Sequence, residues 1–209
     1  MTSTYQNIHF AKKVNRILIW ISSIIILSAL LTACGTKVTR TTTPEFSYLH
    51  LPKLNVLVSE IQVIQKTELT YEEPNIKHLF PMPISSAVRR WINHRLAHLG
   101  GSKEMRVIIE EARATALNLK TNEGLKALFT NEQEVQIDAK LNVKIEIIDE
   151  TNSVEAFTRV QVTRSRTIPE SSSVEERDKI YSELTMVLMN DFNATQEQKF
   201  RRFFSGFMP

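Results

Sequence analysis

Residues 135–147, VQIDAKLNVKIEI, carry the clearest periodicity of the chain. Apolar side chains occupy every second position of this stretch, and polar or charged side chains occupy the positions between them. A period of two is typical of a β-strand, because successive side chains of a strand point to opposite faces of the sheet. The pattern therefore predicts a strand with one buried face and one face open to water or to a partner.

Three further stretches predict strands. Residues 105–119 begin with alternating apolar residues and continue with alanines, and residues 154–166 alternate again after a short turn. Length and adjacency favour an antiparallel meander for these two strands and the one between them. Residues 54–64 predict a fourth strand, with a phase slip near Glu60 that fits a β-bulge.

The first predicted helix covers residues 84–99. Its apolar side chains recur three and four positions apart, Ser85 or Ser86 would cap its start, and the glycines at 100–101 would stop it. Arg95 falls inside the apolar stripe. We expect its stem to lie over the sheet edge, with its charged head paired or in water.

A capping-box sequence, Ser173 to Glu176, opens the second predicted helix. Residues 180–192 give this helix an apolar face. The order is therefore strand, helix, three strands, helix. It predicts an α+β fold, a two-layer sandwich in which a mainly antiparallel four-stranded sheet carries two helices on one face.

The N-terminal residues have the three parts of an export signal. A positive region comes first, formed by Lys12, Lys13 and Arg16. An apolar run follows at residues 17–31, and small residues then precede Cys34, the only cysteine of the chain. An uncleaved membrane helix is one alternative, although residues 17–33 fall short of the about 20 apolar residues that a span needs. Cleavage that leaves Cys34 as a free thiol is the other.

The stretch Leu31-Thr32-Ala33-Cys34 resembles the lipobox of bacterial lipoproteins. The resemblance implies that the Cys34 thiol receives a diacylglycerol, that the chain is cut before it, and that the new amine receives a fatty acyl chain such as palmitate. Gly35 follows the cysteine where an aspartate would retain a Gram-negative lipoprotein in the inner membrane. The likeness therefore implies the periplasmic face of the outer membrane, with residues 1–33 as signal peptide, 34–52 as a threonine-rich tether and 53–209 as the periplasmic domain.

Charge gives no support for a nucleic-acid partner. Three of the 26 basic residues lie before Cys34 and all 23 acidic residues follow it, so the rest of the chain is formally neutral. A single cysteine also excludes an internal disulfide, so an ordinary apolar core must stabilise the domain.

No catalytic, metal-binding or cofactor-binding residue is predicted. The sequence lacks a G-x-S-x-G stretch, a glycine-rich phosphate loop and a C-x-x-C pair. His94 and His98 have the spacing of two zinc ligands, but no third ligand accompanies them and both fall outside the apolar stripe, so we expect two solvated histidines. Whether the protein takes a small-molecule ligand stays open at this point. Arg159, Arg164 and Arg166 form either a basic patch or the charged rim of a sheet.

Two apolar clusters are candidate interfaces. The first comprises Phe200, Phe203, Phe204 and Phe207. On a continuous helix this stripe points about 140° away from the apolar face of residues 180–192, so both reach one core only if the helix breaks near residues 193–195. Without a break, its aromatic and basic residues suit a membrane surface or a partner groove. The second cluster lies in a predicted loop and comprises Leu125, Leu128 and Phe129.

The predicted layout behind a lipobox resembles two groups of envelope lipoproteins in topology alone. These are the auxiliary lipoproteins of ABC-type lipid-transport systems (PqiC-like) and the lipoprotein plug partner of the lipopolysaccharide translocon. The segment E-P-N-x-x-H-L-F-P at residues 73–81 is also similar to uncharacterised bacterial lipoproteins. We expect a non-enzymatic accessory subunit of an outer-membrane assembly or lipid-transport system, with an envelope protein as partner. A periplasmic module that binds a small ligand or a lipid is the alternative.

Overall fold

The structure, a computed structural model, describes residues 46–66, 72–119 and 134–209. Its elements are, in chain order, β1 (Leu54–Val56), β2 (Glu60–Gln65), α1 (Ile84–Arg95), β3 (Leu96–His98), β4 (Glu104–Leu119), β5 (Glu134–Ile148), β6 (Val154–Pro169) and α2 (Val174–Phe203). Short 3-10 turns lie at Lys77–Leu79 and Ser205–Phe207.

The strand that the alternating stretch predicts is β5, and it lies inside the main sheet. It pairs antiparallel with β4 on one side and with β6 on the other, and β2 completes the order β2-β4-β5-β6 by pairing parallel to β4. The apolar side chains of β5 from Ile137 to Ile147 are almost fully buried. Both helices pack on the sheet, so the fold is the α+β arrangement that the sequence predicts.

The predicted strand at residues 54–64 is in fact two strands. β1 pairs parallel with β3 in a small separate sheet, whereas β2 belongs to the main sheet. Between them the Leu57 amide donates to the Phe207 carbonyl at 2.8 Å and the Ser59 amide donates to the Lys103 carbonyl at 2.7 Å. The phase slip near Glu60 therefore marks a change of sheet, and the predicted bulge is wrong.

The first helix begins at Ile84 as predicted but ends earlier, at Arg95 rather than at residue 99. Pro83, rather than a serine, occupies the N-cap position, and Leu96 is already extended because β3 pairs with β1. The two glycines serve the turn that follows β3, with φ of 93° at Gly100 and 135° at Gly101. A Cβ on Gly101 would lie 2.9 Å from the Leu57 carbonyl oxygen, so the close approach of these two backbones requires glycine.

The capping box at the start of α2 is confirmed. The Ser173 hydroxyl accepts from the Glu176 amide at 3.2 Å, and the Glu176 carboxylate accepts from the Ser173 amide at 2.8 Å. This amide, followed by the Ser173 hydroxyl, lowers the pKa of Glu176. The contribution of the carboxylate is therefore complete above the ordinary glutamate pKa and is lost as the pH falls through the lowered value.

Arg95 is fully buried between the two helices. Its Nε donates to Asn193 Oδ1 at 3.1 Å, and its other guanidinium nitrogens donate to the Glu197 carboxylate and to the Pro52 carbonyl. Trp91 Nε1 donates to the same Asn193 oxygen at 2.8 Å. The expected pairing of the charged head is present, but the stem lies between the helices. The network joins α1, α2 and the chain before β1, and it satisfies a buried cation that would otherwise be costly.

We predict that Arg95→Met lowers the free energy of unfolding by about 3 kcal/mol, because it leaves buried polar partners without their donor. The matched control is Arg201→Ala, since Arg201 pairs with the same Glu197 at 2.9 Å but is 58% exposed in its side chain. Its removal should cost at most about 0.5 kcal/mol. Urea denaturation of the chain from residue 34, with Cys34→Ser in every sample, measures both. Equal losses would contradict the assignment of the buried network.

Candidate functional site

Most of the residues singled out from the sequence can be located, but some cannot. Cys34 and the loop residues Leu125, Leu128 and Phe129 lie outside the described residues. Their predicted roles, in lipidation and at an interface, therefore stay predictions.

The C-terminal phenylalanines divide between the core and the surface. Phe200 and Phe204 are fully buried and meet edge to face, with ring centroids 4.8 Å apart. Phe207 is half-buried against the same core. Phe203 alone is 48% exposed, with the Arg202 guanidinium 5.2 Å from its ring centroid. Phe200 and Phe204 are thus core residues and form no interface, which corrects that part of the sequence prediction.

The helix that carries them does not break. α2 runs uninterrupted past residues 193–195, so Phe200 and Phe204 reach the core without the break that the helical projection required. Its later buried side chains follow a row with a spacing of four, namely Leu188, Phe192, Gln196, Phe200 and Phe204. Each step of four residues turns the row by about 40° around the helix, so the buried face winds as the twisted sheet beneath it turns.

Gln196 makes this row difficult to recognise in the sequence, because it places a polar residue between the aromatic residues Phe192 and Phe200. Its side chain is fully buried, and its Nε2 donates to the Thr158 hydroxyl at 2.8 Å. The donor side of this buried amide is thereby hydrogen-bonded, whereas its Oε1 is buried without a partner among the described residues. The pair fastens the middle of α2 to β6.

The chain before β1 forms a strap, residues 46–53, that lies on both helices. Arg90 donates to the Phe46 carbonyl at 3.3 Å, and the Tyr48 amide donates to His94 Nδ1 at 3.2 Å. The Tyr48 hydroxyl donates to Asn190 Oδ1 at 3.2 Å. Burial raises the pKa of this hydroxyl, and the nearby Arg95 guanidinium lowers it by less. The strap is therefore part of the folded domain.

Two surface depressions are large enough to admit a small molecule. One, of about 410 Å³, lies between the strap and α2, and its walls are Phe46, Ser47, Tyr48, His50, Leu51, Met186, Asn190 and Asn193. The other, of about 510 Å³, lies beside β2 and β3, where Ile61, Val63, Ile92 and Leu96 supply its apolar wall. Neither gathers several ionisable groups around a nucleophile.

His94 and His98 do not share a helical face, because α1 ends at Arg95. The Nδ1 atom of His94 already accepts the Tyr48 amide, and His98 lies on β3 with an exposed side chain. Within the described residues no group of three or more His, Cys, Asp or Glu side chains could hold a metal ion. Among these same residues, no helix is both long enough and apolar enough to cross a bilayer.

The outer face of the main sheet is covered by ion pairs. Lys140 pairs with Glu111 and Arg159 pairs with Glu110, both at 2.9 Å, and Lys144 pairs with Glu146 on its own strand. Phe157 is 54% exposed on this face, with Lys144 Nζ 5.4 Å from its ring centroid. The alternation of β5 had predicted this polar face, but it gave no sign of the exposed aromatic ring.

Comparison with known proteins yields structural likeness without a family. No protein-family model matches the chain, and no curated protein matches it in sequence. Solved structures that resemble it include a minor lipoprotein from Acinetobacter baumannii, at 12% identity and TM-score 0.37 over 71% of this chain and 96% of that one. Rare lipoprotein B from Shewanella oneidensis gives 9% identity and TM-score 0.30 over 67% of this chain and 98% of that one.

A lipoprotein from Caulobacter crescentus is a third such structure, at 8% identity and TM-score 0.27 over 66% of this chain and 91% of that one. At these identities and TM-scores the likeness assigns the chain to no family. The functional proposal therefore rests on the residues of the chain itself.

We predict opposite outcomes for two neighbouring phenylalanines. Phe204→Ala should lower the free energy of unfolding by about 3–5 kcal/mol, because it empties a fully buried site. Phe203→Ala should change it by about 0.5 kcal/mol or less, because half of this ring is already in water. Thermal and urea denaturation of the two variants side by side measure the difference. A large loss for Phe203→Ala would show that this ring also belongs to the core.

Proposed function

We propose that this protein is a lipid-anchored lipoprotein of the bacterial envelope and a non-enzymatic accessory subunit of an outer-membrane assembly or lipid-transport system. The observation that carries the proposal is the lipobox-like stretch Leu31–Cys34. It follows a positive region and an apolar run, and it contains the only cysteine of the chain. A periplasmic-facing outer-membrane location follows from Gly35 by the same resemblance.

The anchor is physically sufficient for stable membrane residence. Each methylene that enters the bilayer contributes about 0.8 kcal/mol, and one acyl chain holds a protein only marginally, whereas two or more hold it firmly. A diacylglycerol on the Cys34 thiol together with an acyl chain on its amine exceeds that requirement. The anchor would act on a domain whose first described segment, the strap, is hydrogen-bonded to both helices.

The described surface supports a subunit more than an enzyme. The inner face of the sheet is filled by both helices, and both depressions are walled largely by half-buried or exposed side chains. Large apolar side chains remain exposed at several places, among them Leu57, Leu99, Phe157 and Phe203. A filled core with exposed apolar edges is what we expect of a subunit, whereas a deep apolar pocket would favour a binding module.

Substitution of Cys34 tests the anchor. The parent protein should be found in the membrane fraction, with the mass of the chain from residue 34 plus its acyl groups, and should incorporate labelled palmitate. Cys34→Ser should keep the precursor mass and take up no label, because serine offers no thiol for the diacylglycerol. Thr32→Ser, which keeps a small residue in the same stretch, is the matched control and should be processed normally.

Two results would overturn this proposal. A parent protein that keeps its full precursor mass and fractionates like Cys34→Ser would indicate an uncleaved membrane helix. A parent protein that is cut before Cys34 but carries no acyl mass would indicate a free thiol.

The alternative, a small-ligand or lipid-binding module, is favoured by one observation. The depression beside β2 has a volume of about 510 Å³, inside the range of known ligand sites, and part of its wall is apolar. We expect native mass spectrometry of the membrane-extracted protein to show the acylated chain without a stoichiometric second ligand. A bound species that disappears in Val63→Trp, which would fill the depression, but persists in Val187→Trp on an exposed helical surface would favour the binding module instead.

A further inference from the structure

Strand β6 is an edge of the main sheet over its whole length. It comprises 16 residues, and within the described part of the chain its only neighbour in the sheet is β5. Most of its side chains are exposed, whereas those of β5 are almost all buried or half-buried. The backbone of a free edge strand presents amide and carbonyl groups that can pair with another extended chain.

Two side-chain contacts show which backbone groups of β6 point outward. Lys199 Nζ donates to the carbonyl of Arg159 at 2.7 Å, and the Arg164 guanidinium donates to the carbonyl of Thr163 at 3.2 Å. Residues of an antiparallel strand alternate between bonding their neighbour and pointing away from it. The odd-numbered residues from Phe157 to Thr167 therefore turn their amides and carbonyls toward the free edge.

This edge is unusually regular. The pairing of β5 with β6 continues from Ala156 to Pro169 without a shift in register, and the one irregularity lies beside Ile148. Proteins commonly protect an exposed edge with a bulge, a proline or charged side chains. Here no proline occurs before the last residue of β6 and no bulge interrupts it after Ala156, so its protection is limited to charged side chains, two of which cover outward carbonyls.

We propose that the free edge of β6 is the docking site for an extended, acidic segment of a partner protein, which adds to the sheet as a fifth strand. This inference rests on the proposed function as an accessory subunit, and it names the surface through which the subunit would bind its partner. Strand addition gains affinity from main-chain hydrogen bonds and specificity from the side chains on either face of the added strand.

The charge of the edge selects an acidic segment. β6 carries Arg159, Arg164 and Arg166 against a single acid, Glu155, and Lys199 of α2 lies on the same edge. Arg159 and Arg164 each pair with a carboxylate, Glu110 and Asp191. In the described part of the chain Arg166 has no ion pair. Arg164 and Arg166 share one face of β6, and a strand with carboxylates at alternate positions would face them there, where opposite charges are favourable.

A second copy of this chain fits the edge poorly. α2 lies directly above β6, as the contacts of Gln196 with Thr158 and of Asp191 with Arg164 show. A continuous sheet formed through two β6 strands would bring two α2 helices about 5 Å apart, the strand spacing, whereas packed helices need 8–10 Å. It would also place two basic strands side by side. A single extended segment meets neither obstacle.

The experiment uses the full acylated protein in detergent and two probes. One probe is a dodecapeptide that alternates threonine and glutamate, and the other alternates threonine and lysine. Hydrogen–deuterium exchange read by mass spectrometry should show that the glutamate peptide slows exchange within residues 154–169, because it covers the outward amides. The exchange of the other strands should not change. The lysine peptide should bind at least about tenfold more weakly, since it meets the basic edge with like charge.

Gln161→Pro is the decisive variant. Its amide points outward and bonds nothing inside the sheet, so proline at this edge position should leave the fold intact. It should weaken binding of the glutamate peptide at least about tenfold, because it removes a donor and obstructs the ladder. Gln161→Thr, which keeps the amide, should bind as the parent does. If the proline variant fails to fold, Arg166→Glu replaces it and should reduce the preference for the glutamate peptide over the lysine peptide.

Three outcomes would overturn the proposal. In the first, neither peptide protects residues 154–169 from exchange. In the second, the two peptides bind equally well. In the third, protection of β6 rises with protein concentration in the absence of peptide. The last would assign the edge to a second copy. Because Cys34→Ser should bind the glutamate peptide as well as the parent does, failure of the lipid anchor and failure of the edge site are separate results.

Discussion

The buried guanidinium of Arg95 is the interaction on which the arrangement of both helices depends. A cation removed from water needs a counter-charge and filled hydrogen bonds, and here these come from α2 and from the Pro52 carbonyl. The geometry that satisfies the charge fixes α1, α2 and the strap relative to one another. The strap in turn connects the domain to the segment in which we place the lipid anchor. One polar network thus helps to hold the first described segment of the chain against both helices.

The two faces of the main sheet are covered, whereas the edge at β6 is open to a partner. Its inner face is occupied by the helices, and its outer face is covered by ion pairs such as Lys140 with Glu111. An accessory subunit with such faces has its exposed strand edge and its scattered apolar side chains available for partners. The edge of β6 extends over 16 residues and keeps one register from Ala156 onward. Its basic side chains favour an acidic partner. The proposed envelope role and the proposed docking site are therefore compatible but separately testable.

Local patterns in the sequence predicted most of the elements and few of their connections. The alternation at 135–147 and the capping box at Ser173 are short-range signals, and the structure confirms both. The division of residues 54–64 between two sheets depends on distant partners, Phe207 and Lys103, that no local period reveals. The sequence did not show that Phe200 and Phe204 belong to the core. A fixed helical projection does not account for a buried row that rotates around the helix, and Gln196 places a polar residue within that row.

By itself the sequence determined the α+β class, the polar outer face and the short stretch around Cys34 on which the lipoprotein proposal rests. Each of these follows from neighbouring residues, through side-chain period, composition or an adjacent motif. Only the tertiary structure decided that Arg95 is buried, that α2 is continuous, that Phe200 and Phe204 belong to the core, and which amides of β6 face outward. These depend on contacts between residues far apart in the chain, whose strength is set by burial and geometry that no single segment contains.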